Sequence, residues 1–218
     1  MIRRGDKGSA LVMALVLTLL VAAIGAAVAV TSRTEMAIAG NFQESRELLY
    51  AAEGAMALAI RELDAIPDWD VVLTGATTSS FTDGAAIGAR TLPGGTTIVL
   101  CCGAATLTSD VQWRAHAGRN WGADTPQWQI FAWGRVQDWL PAGRIHSASY
   151  VVAWVADDPG DADGNPAADS NNRIDVHAQA LGVGGGRRVV QVTLERPPAA
   201  SSPPPPGLRI VSWRDLRW

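Results

Sequence analysis

The densest concentration of ligand-type side chains in this 218-residue chain is the run DDPGDADGNPAADSNN, residues 157–172. Asp161, Asp163 and Asn165 stand at positions one, three and five of a calcium loop, Asp169 at position nine, and Gly164 between the third and fifth. Hard oxygen ligands at alternating positions on a turning loop are what Ca²⁺ requires. Two departures count against it. Pro166 occupies the sixth position, where such a loop turns on glycine, and Asn172 occupies the twelfth, where a bidentate glutamate belongs. Asp157 or Asp158, folding back, would replace that carboxylate. The alternative is a solvated polar turn with Asx caps between two strands. Calcium is the one cofactor the residues suggest, and nothing in them demands one.

Nine tryptophans against two tyrosines suit an extracytoplasmic β-rich domain or a sugar-facing surface. Trp128 shares strand parity with Ile130, and Phe131 shares the other parity with Trp133, so both faces of that strand read as apolar. Trp113, Trp121, Trp213 and Trp218 fall in loops or the tail and are the contact candidates. Cys101 and Cys102 are neighbours, so they cannot staple distant parts of the fold. Their Cα separation is short for a disulfide, and they read as a buried or free pair on a strand, with a redox switch or intermolecular bridge as the alternative.

Catalytic patterns are missing. Neither G-x-S-x-G nor H-E-x-x-H occurs. His116, His146 and His177 are scattered and read as surface or structural. Gly184, Gly185 and Gly186 precede a strand rather than a helix, which disfavours a phosphate loop. A net charge of −3 supplies no basic field to draw nucleic acid. The chain reads as a non-enzyme.

The elements that position these residues follow from periodicity. Residues 67–95 are rich in Thr, Gly and Ala and read as loops and short strands. Strands are expected within 96–104, 127–137, 145–156, 173–181 and 187–196, with loop at 115–126 and a turn around Leu140–Gly143. In RIDVHAQAL, Ile174, Val176, Ala178 and Ala180 share one face; Asp175, His177 and Gln179 share the other. GVGGG then supplies the positive φ angles of a hairpin loop. PPAASSPPPPG reads as an extended spacer over 197–207. The apolar tail, 208–218, either returns as an edge strand or docks on another subunit by strand addition.

The N-terminus decides how this body is held. Ser9–Val30 contains no charge, and its 22 residues give ~33 Å of helix, enough to cross a bilayer. Arg3, Arg4 and Lys7 precede it and place the N-terminus in the cytoplasm. A secretory signal cut near Ala27-Val28-Ala29 is the rival reading. Helical rhythm continues to Pro67 through Met36, Ala39, Leu49, Ala52, Met56, Ile60 and Leu63, which argues for a helix that is kept. Gly40-Asn41 is the weakest point of that helix. The fold class is therefore α+β: a long helix, apolar over 9–30 and amphipathic over 31–66, packed on an antiparallel β-sheet head spanning 67–196.

The short basic leader ending in Gly8, followed by Ser9 and the apolar helix, resembles the class III signal of type IV pilins. EMAIAGNFQESRELLYAAEGAMALAIREL further resembles the N-terminal region of PilX-type pilus assembly proteins, which carry a similar E-x-x-x-A-G-N and A-A-E on the same helix. The resemblance implies a pilin-like fold and removal of leader 1–8 by the prepilin peptidase between Gly8 and Ser9. It also implies storage in the bacterial inner membrane, assembly with other pilins and minor pilins into an extracellular pilus, and no catalysis. Most pilins have glutamate at the fifth mature position; here that position is Met13. Minor pilins of this kind often lack it, which favours a tip or priming subunit. A membrane-anchored binding domain or adhesin, and a type II secretion pseudopilin, are the alternatives.

Overall fold

The computed structural model describes residues 6–117, 119, 122–139, 147–197 and 207–216. The expected turn at 140–143, the proline-rich run 198–206, His146, Trp121 and Trp218 lie outside the described residues. The chain divides into two compact units, residues 1–44 and 45–218. Helix α1, Asp6–Ala65, contributes to both, and Pro67 follows its end, where the ring forbids continuation. Helical hydrogen bonding continues through Gly40-Asn41, the weakest point of the helix.

In the first unit the helix stands alone. Leu11, Leu17, Leu20, Ile24 and Val28 are all more than half exposed. Its hydroxyls are satisfied internally: Thr18 Oγ1 donates to the Leu15 carbonyl, and Thr31 and Thr34 donate to Ala27 and Val30. An apolar environment penalises an unbonded hydroxyl, so this arrangement suits lipid or protein surroundings.

In the second unit α1 buries Leu48, Ala51, Ala52, Ala55, Met56, Ala59 and Leu63. These steps of three and four residues are one helical face. The stripe differs from the expected one: Met36 and Ala39 are exposed, and Leu48, Ala51, Ala55 and Ala59 are buried beside the half-buried Leu49 and Ile60. Its alanines let the backbone approach the sheet closely. Arg196 closes this end of the helix, donating to the Pro67 and Ile66 carbonyls at 2.6 Å each, with its guanidinium 4.1 Å from the Trp69 ring. Trp69 Nε1 donates to the Leu63 carbonyl at 3.1 Å. Arg196 also donates to the Leu63 carbonyl in the last turn at 3.4 Å, and a cation there opposes the negative end of the helix dipole.

The sheet is antiparallel, ordered β3 (Gln129–Arg135), β4 (Tyr150–Asp157), β5 (Arg173–Leu181), β6 (Arg187–Glu195) and β7 (Arg209–Leu216). The tail thus returns to its own sheet as β7. Gly185, at φ +80°, turns the β5–β6 loop as the glycine run requires. One face packs on the α1 stripe through Val151, Val155, Val176, Val192 and Leu194. The other face is covered too, which the alternation did not reveal. A hairpin of β1 (Ala89–Thr91) and β2 (Thr97–Val99), with helix α3 (Leu107–His116), lies over Trp133, Val152 and Trp154. Each fully buried Val or Leu on these faces contributes roughly 1.5–3 kcal/mol.

Four local expectations need correction. The stretch 67–95 holds a short helix, α2 (Asp70–Leu73), as well as β1. Residues 115–126 are not all loop, because α3 runs to His116 and a 3₁₀ turn spans Gly122–Asp124. Strand β2 stops at Val99, and Cys101 and Cys102, beyond it, form a disulfide with a Cα separation of 3.8 Å; Cys102 has φ +73°. The strand parity of the tryptophans fails at a bulge. Ile130 pairs with Trp154 and Ala132 with Ala153, leaving Phe131 as the extra residue. Phe131 and Ala132 therefore face α1, and Trp133 joins Trp128 on the other side.

Candidate functional site

Two places carry the sequence-based expectations, and each lies within its own unit. The first is the start of α1. Gly8 and Ser9 lie within the helix. Met13 is 70% exposed on the apolar segment. From Ser9 onward the helix is long and apolar enough to cross a membrane, and its most apolar window buries nothing against the protein.

Residues 7–57 match the family model described as PilX N-terminal. Over this segment the chain is similar to PilX-type pilins. The match begins before the Gly8–Ser9 bond and ends at Ala57, so it covers the apolar run and most of the buried stripe. The PilX segment therefore includes both the exposed helix and the ridge that seats the head. The head itself falls outside the match. No curated protein and no solved structure shows significant similarity to the chain.

The second place is the β4–β5 loop of the head. Asp157, Asp161 and Asp163 bring a carboxylate oxygen each to within 4.8 Å of one another, the first two buried and the third exposed. Asp161 is held by Ser170 and Asn171: Oδ2 accepts from their backbone N–H groups at 2.7 and 3.2 Å, and Oδ1 accepts from Ser170 Oγ at 2.6 Å. Asp157 Oδ1 accepts from the Asp158 amide at 2.9 Å. Gly164, at φ +76°, makes the turn, and its amide donates to Asp124 Oδ1 at 2.6 Å.

The other residues of the calcium pattern act as turn caps. Asp158 Oδ1 accepts from the Gly160 amide, Asn165 Oδ1 from the Ala167 amide, and Asp169 Oδ1 from the Arg173 amide. The carboxylates that lie together are thus those of Asp157, at the end of β4, Asp161 and Asp163. Burial, with Asp161 and then Asp169 and Asp158 nearby, pushes the Asp157 carboxyl up to about 8. Burial likewise raises Asp169. Clustered carboxylates of this kind repel unless a proton or a cation sits among them.

The aromatic candidates separate. Trp113 is 68% exposed on α3, and Trp213 is 46% exposed on β7. His116 lies beside Gln112 at 2.9 Å. Of the surface and structural readings, His177 takes the structural one. It is 2% exposed, edge-on to Trp128 and Trp154 at 5.5 and 5.6 Å, because α3 covers the polar face of β5. Burial pushes its imidazole down to about 4. Arg196 was not singled out in the sequence; only its place right after a strand, opposite a Pro-terminated helix, could have flagged it.

Proposed function

We propose that this chain is a minor pilin, a structural subunit of a type IV pilus. It is stored in the inner membrane with its N-terminus in the cytoplasm, cut by the prepilin peptidase between Gly8 and Ser9, and passed into the filament with other pilins. Its work is packing: the apolar helix enters the filament core and the β-rich head faces outward. The observation that carries this reading is the coincidence of the PilX N-terminal match with a helix whose apolar side chains are unsheltered. Lipid shelters them before assembly and neighbouring helices afterwards.

Met13 supports a role at the tip or in priming. A buried carboxylate paired with the next subunit's terminal ammonium offsets its own desolvation only when that partner is present. A subunit without it needs no partner above. Immunogold labelling of sheared pili tests this. The chain should label filament ends sparsely, and Met13→Glu should move label into the shaft. Absence from the pilus fraction contradicts the pilin reading, and unchanged label positions in the variant contradict the tip assignment alone.

A second role belongs to the β4–β5 loop, which takes Ca²⁺ through Asp157, Asp161 and Asp163. Two buried carboxylates beside a third exposed one support it. A divalent ion would neutralise their repulsion and pin the loop on the head surface.

A further inference from the structure

Cys101 and Cys102 are the only cysteines of the chain, and their bridge sits in the joint between β2 and α3. The two partners differ: Cys101 is 7% exposed and counts as buried, whereas Cys102 is exposed. Cys102 has φ +73° and Ala105 φ +58°, so two of the three non-glycine residues with left-handed backbone among the described residues fall in this joint. A residue with a β-carbon disfavours that region by a factor of roughly ten. The bond from Cys102 to its own neighbour is the covalent constraint that holds it there. An exposed bridge between adjacent residues belongs to the labile class of disulfides, not the structural one.

The same joint seats the start of α3. The carbonyl of the buried Leu100 accepts from the Thr108 amide at 2.9 Å and from Thr108 Oγ1 at 2.8 Å. Thr108 Oγ1 in turn accepts from Trp154 Nε1 at 2.8 Å, which ties the helix to β4. Thr106 Oγ1 donates to the Gly103 carbonyl at 3.3 Å and accepts from the Ser109 amide at 3.1 Å. Further along, α3 is held independently of the joint. Asp110 Oδ2 accepts from Arg187 at 2.8 Å, and Gln112 Nε2 donates to the Pro126 carbonyl at 2.6 Å. The turn at Cys102 therefore bears on the first turn of α3 and not on the whole helix.

We propose that Cys101–Cys102 is a thiol–disulfide exchange site that takes two electrons from a protein dithiol, and that its redox state sets the order of the first turn of α3. One thiolate of the dithiol attacks the sulfur of the exposed Cys102, and Cys101 leaves as a thiolate and takes up a proton. The second thiol of the dithiol then loses its proton and attacks its partner sulfur in the mixed disulfide. That step releases the Cys102 thiolate, which is protonated in turn. The dithiol ends as a disulfide, and both cysteines end reduced. A monothiol does poorly here, because the adjacent Cys101 thiolate reverses the first step before a second molecule arrives. The proposal goes beyond filament packing and uses none of the β4–β5 carboxylates.

Alkylation and hydrogen exchange, both read by mass spectrometry on the full chain in detergent micelles, test it. Dithiothreitol without denaturant should open the bridge, so that iodoacetamide alkylates both cysteines. Glutathione at the same thiol concentration should leave most chains unalkylated. On reduction, amides over 104–111 should exchange ~10-fold faster, the weight of one left-handed residue, with β5 unchanged. Cys101→Ser with Cys102→Ser should show that faster exchange without reductant. Cys101→Ser with Cys102→Gly should stay within about twofold of the oxidised level, because glycine takes the positive φ unaided. Resistance to dithiothreitol, equal opening by glutathione, unchanged exchange over 104–111 on reduction, or a glycine variant that exchanges as fast as the serine one overturns the proposal. Each of these leaves the pilin reading intact.

Discussion

Protonating His177 should destabilise the head, by an amount the structure sets. The ring is enclosed between Trp128 and Trp154, and burial lowers its pKa from 6.5 to about 4. In the unfolded chain it takes its proton near 6.5. A depressed histidine contributes stability that is complete above 6.5 and drains away as pH falls through 4. At ~1.4 kcal/mol per pH unit the full loss is ~3 kcal/mol, of which ~2 kcal/mol is gone by pH 5. Asp157, Asp169 and Asp175 have raised pKa values and act in the opposite sense: their stability is present at low pH and is lost as pH rises, for Asp157 through about 8. Wild type alone would blur the two trends. The stability gap between wild type and His177→Gln isolates the imidazole, because glutamine carries no charge at either pH. Urea unfolding in micelles, followed by tryptophan fluorescence, should show this gap shift against wild type by ~2 kcal/mol between pH 7.5 and pH 5. A gap constant to within ~0.5 kcal/mol would refute a buried, neutral His177.

Calcium at ten times its dissociation constant should stabilise the head by ~1.4 kcal/mol, visible as a rise in Tm of about 3–6 °C. Asp157→Asn should abolish that rise, yet in chelator at pH 8 it should be more stable than wild type, since it removes a carboxylate that is costly to ionise; an undiminished calcium response in the variant would exclude Asp157 as a ligand. Arg196→Ala should cost about 2 kcal/mol in urea unfolding, by releasing the Ile66 and Pro67 carbonyls just past α1 and uncovering Trp69. A loss under ~0.5 kcal/mol would mean water replaces the guanidinium at no net cost.

Some of this molecule was legible because its signals are local. The helix follows from an uninterrupted apolar-then-amphipathic rhythm ended by Pro67, and β5 and β6 from strict alternation around a glycine-rich loop. The PilX-type motif lay on that same helix. Helix α3 was hidden because LTSDVQWRAH buries only Val111, so it has no stripe to read. What marks it is its start, where the Thr106 hydroxyl accepts from the Ser109 amide and Ser109 answers through its own hydroxyl. The bulge at Phe131 depends on which residue of β4 stands opposite, which no single strand encodes. His177 and Asp175 look solvent-facing by alternation, and only a second covering layer makes that face interior. The calcium pattern shows the same limit from the other side. Asp157, Asp161 and Asp163 lie together, and the presence of Asp157 at the end of β4 in that group depends on the fold of the loop and not on the spacing of the run.

The account rests most heavily on how the N-terminus is made. Peptide mapping by mass spectrometry of the chain from its native membrane should recover a terminus at Ser9, with residues 1–8 missing. An intact Met1, or a terminus near Thr31 left by a secretory cut, would contradict it.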